Sequence, residues 1–307
     1  MKKVITYKSK DEQTTINAVI WSPETEPIGI IQILHGMNEH INRYENTAAF
    51  YVQQGYVVCG HDCLGHGKSV IDKDHYGYFA KKDSKNILIE DAYEMTKLVK
   101  AEYPNLPVTL LGYSFGSTIA RNYIQTHSED INNVVLIGSP NHSKLKMIYA
   151  IIHAKIISFY KRGEFYRSKN LENLTTGSFK KYYKTKNKIA WMSKDEDFLN
   201  SLTADPYCKY RFTVNGYVGM FKMILSANSK LKDVTNKNLP IFLMTGKDDP
   251  VTKFGAATIK LDSIYKKKGF TNVRYKIYNG LRHNLLNEVE RSIILNDIFF
   301  FMKNTNK

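Results

Sequence analysis

Cysteine, tryptophan and proline are scarce in this chain of 307 residues, which holds three, two and eight of them. Cys59, Cys63 and Cys208 are too few, and odd in number, for a disulfide framework, so reduced thiols and a cytoplasmic setting are expected. Long apolar runs are also missing. The nearest approach, "MIYAIIHAKIISFY", carries His153 and Lys155 inside it, so no membrane span is read. The start, "MKKVITYKSKDEQTT", has two lysines but no apolar run that could form a signal-peptide core. No low-complexity tract or internal repeat is visible. Acidic residues are few as well, 29 Asp plus Glu against 44 Lys plus Arg, for a formal charge of +15. Much of that excess is local: residues 141–230 hold 17 basic side chains and 6 acidic ones.

What is present is a globular composition, 43% hydrophobic and 24% charged, with enough length for a sizeable core. Outside the basic segment, short apolar runs alternate with helical patterns. "NAVIWS", "GIIQILHG", "YVVCGHD", "VTLLGYS" and "NVVLIGS" read as strands, with "YENTAAFYVQQG", "ILIEDAYEMTKLVKAEYP" and "GSTIARNYIQTH" as helices between them. The alternation resumes after the segment with "PIFLMTG", "KFGAATIKLDSIYKKKG", "NVRYKIYNG" and "NEVERSIILNDIFFFMK". This order predicts an α/β fold with a mostly parallel sheet flanked by helices. The interruption, with helical spacing in "KLKMIYAIIHAKIISFYK" and "VNGYVGMFKMILSANSK", predicts a helical cap. The expected division is a core of residues 1–140 and 232–307 with a cap over 141–231.

"VTLLGYSFGST" sets Ser114 where a strand passes sharply into a helix, with Gly112 and Gly116 two residues away on either side. Such a turn strains the serine backbone and brings neighbouring chain close to both glycine positions. A hydroxyl there projects beyond the sheet at a helix N-terminus, where negative charge is favoured. It needs a base and a group to orient that base. "PIFLMTGKDDPV" places Asp248 and Asp249 after a strand, Asp249 being the preferred acid beside Pro250. "KIYNGLRHNLLNE" places His283 after another strand. Both sit at carboxyl ends of strands, in the chain order Ser, Asp, His. The amides of Phe115 and of Met37, in the loop after "GIIQILHG", are the candidate oxyanion donors, and His35 is expected to fix that loop.

"HGMNEHINRY", "GHDCLGHGKS", "GYSFG", "GKDDPV" and "RHNLLNE", taken in that order, resemble the monoacylglycerol lipase, lysophospholipase and serine aminopeptidase-like group of α/β-hydrolases. "WMSKDEDFLNSLTADPYC" is similar to the cap of that group's bacterial members. The resemblance covers nearly the whole chain and implies the α/β-hydrolase fold. It further implies carboxylic ester hydrolysis with Ser114, Asp249 and His283 as triad, Met37 and Phe115 as oxyanion donors, and neither metal nor organic cofactor. An acyl ester or lipid is the implied substrate. One departure stands beside the base: Asn284, where bacterial members often have glutamate. The cap aromatics Phe159, Tyr160, Phe212 and Tyr217 are expected to line an acyl pocket.

Other signals weigh less. "GHGKS" ends like a phosphate loop, but Asp62 stands where the first glycine is required. His61, Asp62, Cys63 and His66 lack a second ligand pair at zinc spacing, and the resemblance makes them a structural loop. No nucleic-acid module accompanies the basic tyrosine-rich cap, whereas contact with anionic lipid is an open expectation. An aminopeptidase or amidase with the same triad, or a non-catalytic binding protein on the same scaffold, is the alternative, and a dimer would be compatible with an apolar cap surface.

Overall fold

The runs read as strands pair into one sheet. In the computed structural model, which describes residues 1–161, 163–183 and 185–305, the strands are β1 (Lys2–Lys8), β2 (Thr15–Trp21), β3 (Gly29–Leu34), β4 (Tyr56–His61), β5 (Val108–Tyr113), β6 (Asn133–Ile137), β7 (Ile241–Gly246) and β8 (Val273–Tyr278). Their order is β1-β2-β4-β3-β5-β6-β7-β8. β2 is antiparallel to β1 and β4, and every other neighbouring pair is parallel. This is the α/β-hydrolase fold. β1 is the strand that sequence patterning missed. It lies at the sheet edge with its residues exposed or half-buried, so no apolar run marks it.

The helices are α1 (Glu45–Gln53), α2 (Ser84–Glu102), α3 (Phe115–His127), α4 (Lys144–Tyr160), α5 (Lys169–Glu172), α6 (Glu196–Ala204), α7 (Val214–Ser226), α8 (Ala256–Lys267) and α9 (Arg291–Thr305). Alternate residues of the central strands enter opposite cores. Ile30, Leu110, Val134 and Leu136 pack with Leu88, Ile119 and Tyr265 from α2, α3 and α8. Ile31, Leu111, Val135 and Ile137 pack with Ala48 and Tyr51 of α1 and Ile294 and Ile298 of α9. Burial on both faces is why these strands read as continuous apolar runs.

Among the described residues, four α-helices, α4 to α7, lie in the segment between β6 and β7. Its two ends meet at Arg121 of α3, a fully buried guanidinium. Nη1 donates to the Pro140 carbonyl at 2.7 Å and to Ser139 Oγ at 3.2 Å, while Nη2 donates to Asn228 Oδ1 at 2.7 Å. α7 belongs to the sheet's own core through Val214, Tyr217, Met220 and Phe221. α4 buries only Met147 and Ala154.

The nucleophile turn shows why glycine is required on both sides. A Cβ on Gly112 would lie 2.7 Å from the Gly116 carbonyl oxygen, and one on Gly116 would lie 2.0 Å from the Leu34 carbonyl oxygen. Both obstacles are backbone and cannot step aside. Gly116→Ala is therefore expected to cost about 1–3 kcal/mol of stability through overpacking, measured as a lower urea midpoint at unchanged slope. A midpoint equal to that of the parent chain would contradict this packing.

Candidate active site

Ser114 stands between β5 and α3 with φ 51° and ψ −113°, a left-handed conformation that a non-glycine residue adopts only under constraint. Its amide donates to the Ile137 carbonyl at 2.8 Å, which fixes the turn to the end of β6. Asp249 follows β7 and is fully buried, whereas Asp248 is exposed. His283 follows β8 and is 1% exposed. The structure brings the three together: His283 Nε2 lies 2.8 Å from Ser114 Oγ, and His283 Nδ1 lies 2.9 Å from Asp249 Oδ2.

The surrounding bonds orient that chain. Asp249 Oδ1 accepts from the Val251 amide at 2.8 Å and Oδ2 accepts from Thr245 Oγ1 at 3.1 Å. A carboxylate so supplied with donors remains an acceptor toward Nδ1–H. Nε2 is then left to accept from the serine hydroxyl. One glycine makes room for the imidazole and a second for the chain that leads into it. Gly138 has φ +59°, and a Cβ there would sit 2.8 Å from His283 Cε1. A Cβ on Gly246 would lie 2.0 Å from the Leu281 carbonyl oxygen.

The loop after β3 lies against the first turn of α3, as the Gly116–Leu34 approach requires. Met37 is half-buried in that loop, and Phe115 opens α3, so its amide has no helical acceptor. His35 is buried: its Nε2 accepts from the Cys63 amide at 2.9 Å, which leaves Nδ1–H to donate to the Gly36 carbonyl at 2.7 Å. Burial holds its pKa well below the usual histidine value, so it is a neutral strut.

Phe212 and Tyr217 are buried, and Phe212 contacts Phe79, which stacks on Phe115 at 5.5 Å. Phe159 and Tyr160 are 81% and 76% exposed, and the structure does not bring them to Ser114. The expected pocket role for that pair is corrected: α4 places them on the outer surface. Asp62 accepts from Asn17 Nδ2 and from the amides of Ile41 and Lys68. Burial pushes His61 and His66 down to about 4. Among the described residues, one group of metal-type donors gathers, His40, Asp205 and Cys208. Arg43 shares Asp205 Oδ2 with His40 there, at 3.3 Å and 2.8 Å, so the cluster is already neutralised by a guanidinium.

The support of His283 comes largely from residues 190–194, which the sequence reading noted only by resemblance. The amides of His283 and Asn284 donate to the carbonyls of Trp191 and Met192 at 3.3 Å and 2.6 Å. The Trp191 and His283 ring centres are 5.3 Å apart. Arg282 Nη1 donates to the carbonyls of Ala190 and Ser193, and buried Glu288 accepts from the amides of Arg282 and Lys194 and from Ser193 Oγ.

Comparison with known proteins gives the family. The family profile described as serine aminopeptidase, S33, matches residues 25–290. The chain belongs to that family. Among curated relatives, the monoacylglycerol lipase of Mycolicibacterium smegmatis is 23% identical over 281 residues, covering 91% of this chain and 89% of the relative. Human monoglyceride lipase is 25% identical over 283 residues, covering 91% and 82%. A thermostable carboxyl esterase from Bacillus coagulans superposes with a TM-score of 0.91 at 25% identity, covering 100% of this chain and 99% of the other. The S33-family chain is accordingly a hydrolase with lipase and esterase relatives. Its buried Nδ1–H should give a low-field proton resonance. Asp249→Asn and Gly138→Ala should each remove that signal from the proton NMR spectrum while the rest of the spectrum stays folded, and its persistence in both would contradict the arrangement.

Proposed function

We propose that this chain hydrolyses carboxylic esters through an acyl-enzyme on Ser114. The observation that carries the reading is the unbroken line Ser114 Oγ, His283, Asp249 at 2.8 Å and 2.9 Å. In the first half-reaction His283 Nε2 takes the serine proton as Oγ attacks the ester carbonyl. Asp249 steadies the imidazolium, and the amides of Met37 and Phe115 receive the oxyanion. The imidazolium then protonates the departing alcohol. Water, deprotonated by the same nitrogen, attacks the acyl group and releases the acid and free Ser114.

A monoacylglycerol, lysophospholipid or similar acyl ester is the substrate class favoured by the relatives' names and by the chain of aromatic contacts that runs from Phe115, the residue after the serine, through Phe79 and Phe212 to Tyr217. Residues 141–231 act as a cap that supplies Phe212 and Tyr217 to this chain of rings. Three of the six cap carboxylates are engaged elsewhere and so are not free to hold the ammonium group of an aminopeptidase substrate. Asp205 binds His40 and Arg43, Glu164 accepts from Tyr78 and Asn215, and Glu172 pairs with Arg211.

No helix among the described residues is long and apolar enough to cross a membrane. α4 nevertheless presents Leu145, Tyr149, Ile152, Ile156, Phe159 and Tyr160 to solvent, with Lys144, Lys146, Lys155 and Lys161 exposed beside them. An apolar strip edged by lysines is suited to the interface of an anionic bilayer, where each nearby Lys contributes about 1 kcal/mol.

Ser114→Ala is expected to abolish fluorophosphonate labelling and ester turnover, and Asp249→Asn to lower kcat about 10⁴-fold. p-Nitrophenyl acyl esters should be turned over and amino-acid p-nitroanilides should not. Labelling that survives Ser114→Ala, or turnover confined to the anilides, overturns the reading. Sedimentation with vesicles at low salt should show binding to anionic vesicles that falls in Phe159→Asp. Equal recovery with neutral vesicles, or none with either, rejects the surface contact.

A further inference from the structure

Behind the line of Ser114 and His283, the loop after β3 and the loop after β8 touch through one pair of buried polar side chains. Glu39 is 2% exposed and Asn284 is 1% exposed. Glu39 Oε2 accepts from the Gly36 amide at 3.1 Å and from Tyr44 Oη at 2.8 Å. Its other oxygen, Oε1, accepts from Asn284 Nδ2 at 3.4 Å. Asn284 Oδ1 in turn accepts from Asn287 Nδ2 at 3.2 Å, and its backbone amide donates to Met192. Every polar atom of the contact has a complementary neighbour, with one carboxylate and one amide across it.

We infer that Asn284 and Glu39 form a matched amide–carboxylate latch that holds the oxyanion loop in register with the loop of His283, making both positioning residues for the reaction. This rests on the proposed role of Ser114 and His283. Glu39 is two residues from Met37, and Asn284 is adjacent to His283. A shift at their contact therefore changes the distance between the oxyanion donors and the base without touching either group. Small displacements of this kind act on kcat more than on substrate binding, because the oxyanion exists only along the reaction path.

As built, the contact pairs one carboxylate with one amide. Burial pushes the Glu39 carboxyl up, while Tyr44, Arg43, the Gly36 amide and His40 oppose that rise. Tyr113, whose ring lies 5.1 Å from that of His283, has Glu39, Asp249 and Glu288 as its anionic neighbours. A second carboxyl at position 284 would face Glu39 across the 3.4 Å contact. The two would share a proton at low pH and repel once both ionise. The added charge would also favour the His283 imidazolium. Asn284→Asp should thus narrow activity from both sides, the acid limb moving up in pH and a new loss appearing on the alkaline side.

The test is a charge swap. In Glu39→Gln with Asn284→Asp, the glutamine oxygen can keep Gly36 and Tyr44 while its amide donates to the new carboxylate, which restores one amide and one anion. Buried pairs of this kind couple by roughly 2- to 100-fold in equilibrium terms. Asn284→Asp alone should therefore lower kcat about 10- to 100-fold at neutral pH with KM nearly unchanged. The double variant should return to within about threefold of the parent with its pH profile restored. Thermal melts and fluorophosphonate labelling of each variant accompany the kinetics. An Asn284→Asp profile identical to the parent's, or a double variant no better than the single one, overturns the latch while labelling of the parent leaves the Ser114 assignment standing. A parent chain that resists the phosphonate and turns over no ester removes both.

Discussion

The hydrogen bond from His283 Nδ1 to the buried carboxylate of Asp249 is the interaction on which the rest depends. It selects the tautomer, and the tautomer decides whether Nε2 can accept from Ser114 or has to donate to it. An unpaired carboxylate at 0% exposure would carry a desolvation penalty of several kcal/mol. The Val251 amide, Thr245 Oγ1 and the imidazole together remove that penalty. Much nearby architecture keeps the same atoms in place: the absence of a Cβ at Gly138 and Gly246, the strained φ of Ser114, and the backbone approach of Gly116 to Leu34.

The segment between β6 and β7 divides by its attachments. Residues 190–194 are bonded to the loop of His283, and α7 is part of the sheet's own core. His40 and Arg43 hold Asp205 from the core side. α4 has little buried surface and meets solvent with its aromatics. Mobility, if it accompanies turnover, belongs to the poorly anchored part, since displacing residues 190–194 would carry His283 away from Ser114. The basic charge of the segment is compatible with this division because the lysines edging the exposed face of α4 are solvated.

Legibility followed burial and chain-local chemistry. Strands covered on both faces appeared as apolar runs, and the nucleophile turn announced itself because its glycines lie within two residues of Ser114. β1 was invisible since only Ile5 and Tyr7, on one of its faces, are half-buried. Phe159 and Tyr160 were misplaced for a related reason: the apolar spacing of α4 shows that a face exists, but the space it meets depends on how α7 packs beneath the segment. Trp191 and Gly138 meet His283 from positions far away in the chain, and the Glu288 carboxylate binds the amides of Arg282 and Lys194, contacts that local patterning does not show.

By itself the sequence determined the alternation of strands and helices, the order of Ser114, Asp249 and His283, and their placement after strands, because periodicity and turn chemistry are local properties. Tertiary structure decided between Asp248 and Asp249, since only one of two adjacent side chains in a turn can face the buried imidazole. It also decided that Phe212 and Tyr217 are buried while Phe159 and Tyr160 meet solvent, and that Glu39 meets Asn284. Those two are 245 positions apart, and only the convergence of β3 and β8 loops at one edge of the sheet makes them neighbours.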